Sequence, residues 1–109
     1  MVPTWNPNLK YLREALVSVL AAGIAADEMQ IAIVDDASES FDAAAFLREQ
    51  ALDRVECYPG VARLGIAGSW NRCIEMARGE WIHILHQDDR VRPDFYGALR
   101  RGIAIAPLV

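Results

Sequence analysis

Two short apolar runs, Ile31-Ala32-Ile33-Val34 and Trp81-Ile82-His83-Ile84-Leu85, each lead into a polar turn carrying paired aspartates, Asp35-Asp36 and Asp88-Asp89. Runs this short and this apolar read as strands buried on both faces, which is the pattern of a parallel sheet. Parallel strands all end on one edge, and ligands bind in the crevice beyond those carboxyl ends. Four carboxylates are therefore expected together on one rim. Their mutual repulsion is relieved most simply by a divalent cation or by donors on a polar ligand.

Helical patterns separate the strands. Leu9, Leu12, Leu16, Val19 and Leu20 follow the capping residue Asn8, and Gly23 is a natural stop. A second helix is expected over 42–52, with Asp42 at its positive end and Phe46 and Leu47 on its apolar side, followed by a short strand over 55–58. After the Pro59-Gly60 turn, Ser69 is expected to cap a helix that turns Trp70, Cys73, Ile74 and Ala77 inward and ends at Gly79. Residues 80–85 read as the next strand, and a last helix opens near Pro93 and runs to about Gly102. Alternation of this kind predicts an α/β domain, a mostly parallel sheet with helices on both faces. Both ends read as cut: little chain precedes Pro3-Thr4, and residues 103–109 close on an apolar run.

The 109 residues suffice for one core and one domain. A net charge of −4, a single lysine at Lys10 and scattered arginines give no general attraction to nucleic acid. The weakly polar stretch over 15–26 is too short to span a membrane, which needs about 20 apolar residues, and no secretory signal opens the chain. The default compartment is then the cytoplasm. Cys57 and Cys73 have neither metal-ligand nor redox spacing and read as small buried hydrophobes.

Four motifs in this order, Val2-Pro3-Thr4-Trp5-Asn6, Val34-Asp35-Asp36-Ala37-Ser38, Leu64-Gly65-Ile66-Ala67-Gly68-Ser69-Trp70-Asn71 with Ala77-Arg78-Gly79-Glu80-Trp81-Ile82, and Gln87-Asp88-Asp89, carry a family likeness. Together they resemble the N-terminal nucleotide-binding half of glycosyltransferase family 2, inverting enzymes with the Rossmann-like GT-A fold, over nearly the whole chain. The resemblance implies a single partial nucleotide-sugar-binding domain over 1–109, truncated at both ends.

It also implies roles. Asp36 would accept the N–H edge of a nucleotide base, a charge-assisted bond, while Asp35 orients the turn or the ribose. Asp89 would ligate Mg²⁺ or Mn²⁺ directly, with Asp88 on the ribose or supporting the metal, and the cation would bridge the phosphates of a nucleoside diphosphate sugar. Pro3, Thr4 and Trp5 would line the base pocket, Asn6 and Asn71 would fix loops, and Arg63 would meet the base or a phosphate.

The departures from the family carry expectations too. The family's first strand is almost wholly missing, which would leave open sheet edges and favour self-association. In the family the general base and the acceptor-binding half come later, past residue 109, so no residue of this chain takes that role and the acceptor cannot be read. Of the histidines, His83 reads as a satisfied core or interface residue and His86 as nearer the rim, within reach of phosphate. Trp70 reads as core. A phospho-acceptor signalling domain also sets an Asp pair beside Mg²⁺, but it wants a lysine near that pair, and Lys10 lies on the first helix. A nucleotide-binding or interaction fragment without catalysis is the other alternative.

Overall fold

A computed structural model describes residues 1–105. Three strands, β1 (Val2–Thr4), β2 (Ala32–Asp35) and β3 (Glu56–Tyr58), form a parallel sheet in the order β1-β2-β3. Val2 stands beside Ile33 and Thr4 beside Asp35, while Ile33 stands beside Cys57 on the other side. As the central strand, β2 is buried along its whole length, which is why its sequence alternates with nothing polar before Asp35. The α/β parallel architecture expected from the alternation is the one found.

Four helices connect and flank the strands: α1 (Leu9–Ala21), α2 (Ala43–Glu49), α3 (Gly65–Met76) and α4 (Phe95–Ile105). Asn8 caps α1 by accepting from the Tyr11 N–H, and Asp42 caps α2 by accepting from Ala45. Beyond α1 the chain turns at Gly23, whose φ of +73° suits glycine. The core gathers Leu12, Ala15, Leu16 and Val19 of α1 with Val2, Ile31, Ile33, Phe46, Leu47, Leu52, Val55 and Leu85.

Three expectations need correction. First, the start of the chain does build a strand: β1 is three residues long and takes its place beside β2. Second, residues 80–85 are not a strand but an extended segment alongside β1. The Met1 ammonium donates to the His83 carbonyl at 2.8 Å, and the Leu85 N–H donates to the Met1 carbonyl at 3.0 Å. Those two bonds form one rung of a parallel ladder. Third, α3 begins at Gly65, so Ser69 lies inside the helix as a buried residue rather than at its cap. Trp70 and Ile74 are exposed, and Cys73 alone of the predicted inward set is fully buried.

Below the sheet, the start of β1, residues 29–31, residues 79–85 and α4 enclose a largely apolar cavity of about 630 Å³. Helix α4 has no buried residue. It is held by His83, whose Nδ1 lies 2.9 Å from the Tyr96 hydroxyl and whose ring packs on Phe95, and by an Arg100–Glu28 ion pair of 3.0 Å. His83 is thus the satisfied histidine expected from its pattern. The predicted apolar end over 103–109 falls partly outside the described residues.

Candidate functional site

The site lies at the carboxyl ends of β1 and β2, where a parallel sheet places its crevice. Beyond β2 the backbone turns sharply at Ala37, whose φ of +56° is unusual for a residue with a side chain. The Asp35 carboxylate stabilises that turn from within. Its Oδ1 accepts from the Ser38 hydroxyl at 2.6 Å and its Oδ2 from the Ser38 N–H at 2.9 Å. Asp35 is therefore committed to the turn, one of the two roles the resemblance left to it.

Asp36 faces the crevice. Although the residue is only 4% exposed, its carboxylate collects three donors: Arg63 Nε at 2.9 Å, the Leu64 N–H at 2.7 Å and the Gly65 N–H at 2.9 Å. Burial pushes the carboxyl upward, but the Leu64 N–H, the Arg63 guanidinium and the Gly65 N–H outweigh it and hold it below its ordinary value. Asp36 is thus an anion with its geometry set in advance by the first turn of α3.

The β1 end is fixed just as tightly. Asn6, in a left-handed conformation with φ of +42°, donates its N–H to Ser38 Oγ and accepts the Glu39 N–H on Oδ1. The Gln87 side chain clamps Trp5: its Oε1 accepts the Trp5 N–H at 2.9 Å, and its Nε2 donates to the Trp5 carbonyl at 3.3 Å. Gln87 thereby ties the loop after β1 to the turn that carries Asp88. The Arg63 guanidinium lies over the Trp5 ring, 3.7 Å from its centroid.

These groups line a cavity of about 430 Å³ that gathers Pro3, Thr4, Trp5, Asp36, Arg63 and Asp88 from the predicted set. His86 and Trp70 also line it, 5.7 Å apart in an edge contact. Trp70, expected in the core, is therefore a wall of the crevice. Asn71 is exposed on α3 and does not line the cavity, and neither does Asp89.

The expectation of four carboxylates gathered for a cation needs correction. Among the described residues no group of three or more Asp, Glu, His or Cys side chains stands in metal-binding reach. The repulsion is relieved within the chain, by Ser38 on Asp35 and by Arg63 with two backbone N–H groups on Asp36. What remains for a metal is the turn over 87–89, where Asp88 and Asp89 are both exposed. An exposed pair of carboxylates fits Mg²⁺ or Mn²⁺, which take one or two protein carboxylates and complete their octahedron with water and phosphate oxygens.

Two residues that set this geometry were not singled out from the sequence. Arg72 donates to the Asp35 carbonyl at 2.9 Å and to the Pro59 carbonyl at 2.6 Å, stapling the acidic turn to the turn after β3. Gly60 is the second. A Cβ there would stand 2.6 Å from the Asp35 carbonyl oxygen and 2.8 Å from the Ala37 nitrogen, so only glycine permits that approach. The Pro59-Gly60 pair signalled a turn in the sequence but not what the turn would touch.

Comparison with known proteins places this geometry. The sequence model described as Glycosyl transferase family 2 matches residues 1–104. A protein of Mycobacterium tuberculosis (strain CDC 1551 / Oshkosh), uncharacterized protein MT1568, is 36% identical over 87 residues, covering 73% of this chain and 27% of its own length. Among solved structures, S. aureus TarS superposes with a TM-score of 0.78 at 24% identity over 94% of this chain. TarS 1-349 in complex with UDP superposes with a TM-score of 0.79 at 23% identity over 95%. Those matches cover 18% and 31% of the TarS chains, so this chain spans about a fifth to a third of the relatives it resembles. The likeness to TarS gives the fold, the N-terminal part of a GT-A arrangement.

Proposed function

The chain belongs to glycosyl transferase family 2, and from that premise we propose that it forms the donor half of an inverting sugar transferase, binding a nucleoside diphosphate sugar beside a divalent cation. The observation that carries this reading is the crevice in which Trp5, Asp36, Arg63 and Asp88 converge. A nucleotide needs a flat surface for its base, an acceptor for the base N–H and a cation near its phosphates. Trp5 supplies the first and Asp36 the second, with the carboxylate kept ionised by its three donors. The related structures with UDP and with UDP-GlcNAc support a ligand of this class.

Each residue then has a task. Gln87 keeps the Trp5 loop and the acidic turn in one register, so that base and phosphates are measured from a common frame. Thr4 is buried at the end of β1, with its hydroxyl donated to the Val2 carbonyl, and lines the floor of the crevice. Asp89 would hold the cation directly, while Asp88 at the cavity wall would meet the ribose or steady the metal from behind. When bound, the cation supplies Lewis-acid stabilisation of the departing diphosphate. Asn71 has no part in the crevice seen here, and its loop-fixing role rests on the resemblance alone.

Calorimetric titration with UDP, dTDP and GDP, each with and without Mn²⁺, tests the reading. Metal-dependent binding of one nucleotide is expected. Asp89→Ala should abolish the metal dependence while leaving the unfolding transition where it was. Equal affinity of wild type and variant, with and without Mn²⁺, would remove the role assigned to Asp89.

A further inference from the structure

The crevice contains a chemical stand-in for its own ligand. A guanidinium is planar, as a nucleobase is, and the central carbon of the Arg63 guanidinium lies over the Trp5 indole, 3.7 Å from the ring centroid. From the same position its Nε donates to Asp36 Oδ2 at 2.9 Å. Stacking on Trp5 and donating an N–H to Asp36 are the two contacts that the proposed base would make. We propose that Arg63 is a specificity-determining residue that holds the base position itself and must be displaced by the incoming nucleotide. The inference rests on the nucleotide reading and deepens it.

The surroundings permit the exchange. The Arg63 side chain is 45% exposed, so it has a path outward into solvent. Asp36 keeps its Leu64 and Gly65 N–H bonds when Arg63 leaves, so the carboxylate stays in place to receive the base. The displaced guanidinium has lost an anion and an aromatic face, and it needs another anion in return. A diphosphate supplies one. A nucleoside, having no phosphate, offers nothing to replace Asp36, so its binding carries the full cost of evicting Arg63. The device therefore discriminates in favour of a base joined to phosphates, independently of any metal.

The test uses the full chain and whichever of UDP, dTDP and GDP binds it, together with the matching nucleoside. Wild type should bind the diphosphate far more tightly than the nucleoside. Arg63→Met, which keeps the bulk of the side chain but neither the charge nor the N–H, should bind the nucleoside roughly tenfold more tightly than wild type, the size of a lost cation–π contact with its charged hydrogen bond. It should bind the diphosphate less selectively. A second readout needs no variant: the Arg63 Nε–Hε NMR resonance, shifted by the ring current of Trp5, should move toward its free position when the diphosphate is added. Nucleoside affinity unchanged or weakened in Arg63→Met, with a folded variant by circular dichroism, would overturn the displacement and leave the nucleotide reading standing. An Arg63 resonance that keeps its ring-current shift in the diphosphate complex would overturn it too. No binding of any nucleotide to either protein would instead bring down the nucleotide reading, and this inference with it.

Discussion

Asp36 shows how much of this site is decided by one carboxylate. It takes three donors into two oxygens while almost fully buried, and two of those donors are backbone N–H groups at the start of α3. Replacing it by asparagine keeps the shape but turns one acceptor into a donor. That donor then faces either Arg63 Nε or a backbone N–H. Asp36→Asn is expected to cost about 1–3 kcal/mol, read from urea unfolding, and a loss below about 0.3 kcal/mol would mean that the donors find water instead. Its neighbour Ala37 carries a different cost. Held at φ +56°, an alanine strains against the following carbonyl. Ala37→Gly should therefore stabilise the chain by up to about 1 kcal/mol, the Cβ penalty less the added freedom of the unfolded glycine. An unchanged or lowered midpoint would show that the turn is not strained.

Among the elements, the end of α3 is joined to β3 by a polar cluster on the edge of the sheet. Glu56 accepts from Arg78 Nη2 at 2.5 Å and from the Tyr58 hydroxyl at 2.5 Å, and Gln30 joins them by donating to the Met76 carbonyl and accepting the Arg78 N–H. The Arg78 guanidinium first, and the Tyr58 hydroxyl after it, hold the Glu56 carboxyl down to about 2 from an ordinary 4.5. A carboxylate depressed on folding stabilises fully above its unfolded value and loses that contribution as pH falls through its folded one. Stability should thus decline between pH 4.5 and about 2, and Glu56→Gln should flatten that part of the profile. Because the pair is partly solvated, the effect is expected to be about 1 kcal/mol or less. An identical decline in wild type and variant would assign it to other carboxylates. Elements governed by local patterns were legible in advance: Asn8 caps α1 where its spacing places it, Asp42 stands at the positive end of α2, though as its cap and with the helix shorter than the expected 42–52, and Ile31 to Val34 is buried as a central strand must be. The start of α3 was not. Leu64 provides no side-chain cap, and the helix is opened instead by Asp36, 28 residues earlier in the chain, through its bonds to the Leu64 and Gly65 N–H groups. A local reading chose Ser69 because it had no access to that distant acceptor. For the same reason the Gln87 clamp on Trp5, across 82 residues, and the Arg72 staple across 37 left no mark in the sequence.

Across the whole molecule, polar and apolar demands are divided between the two ends of the sheet. At the carboxyl end the two buried carboxylates, Asp35 and Asp36, are answered from within the chain. At the other end the 630 Å³ cavity is walled by Val19, Ile24, Met29, Ile31, Leu85 and Phe95, with the Met1 ammonium at its edge. Burial lowers the pKa of that ammonium, the expected response of a cation placed against apolar walls. Between residues 29–31 and 81–83 the edge of the sheet offers apolar surface, and Trp81 stands beside it at 56% exposure. Such an edge pairs with whatever extended chain reaches it. The isolated chain is therefore expected to self-associate, with a sedimentation coefficient that rises with concentration. Trp81→Glu, which puts a charge at the mouth of the cavity without touching the crevice, should shift the equilibrium toward monomer and leave nucleotide affinity unchanged. A sharp monomer at all concentrations would mean that α4 closes the edge by itself, through the His83–Tyr96 and Arg100–Glu28 contacts that hold it there. In that case Arg100→Ala, which releases one of those contacts, should restore the concentration dependence. If it does not, the edge plays no part in association.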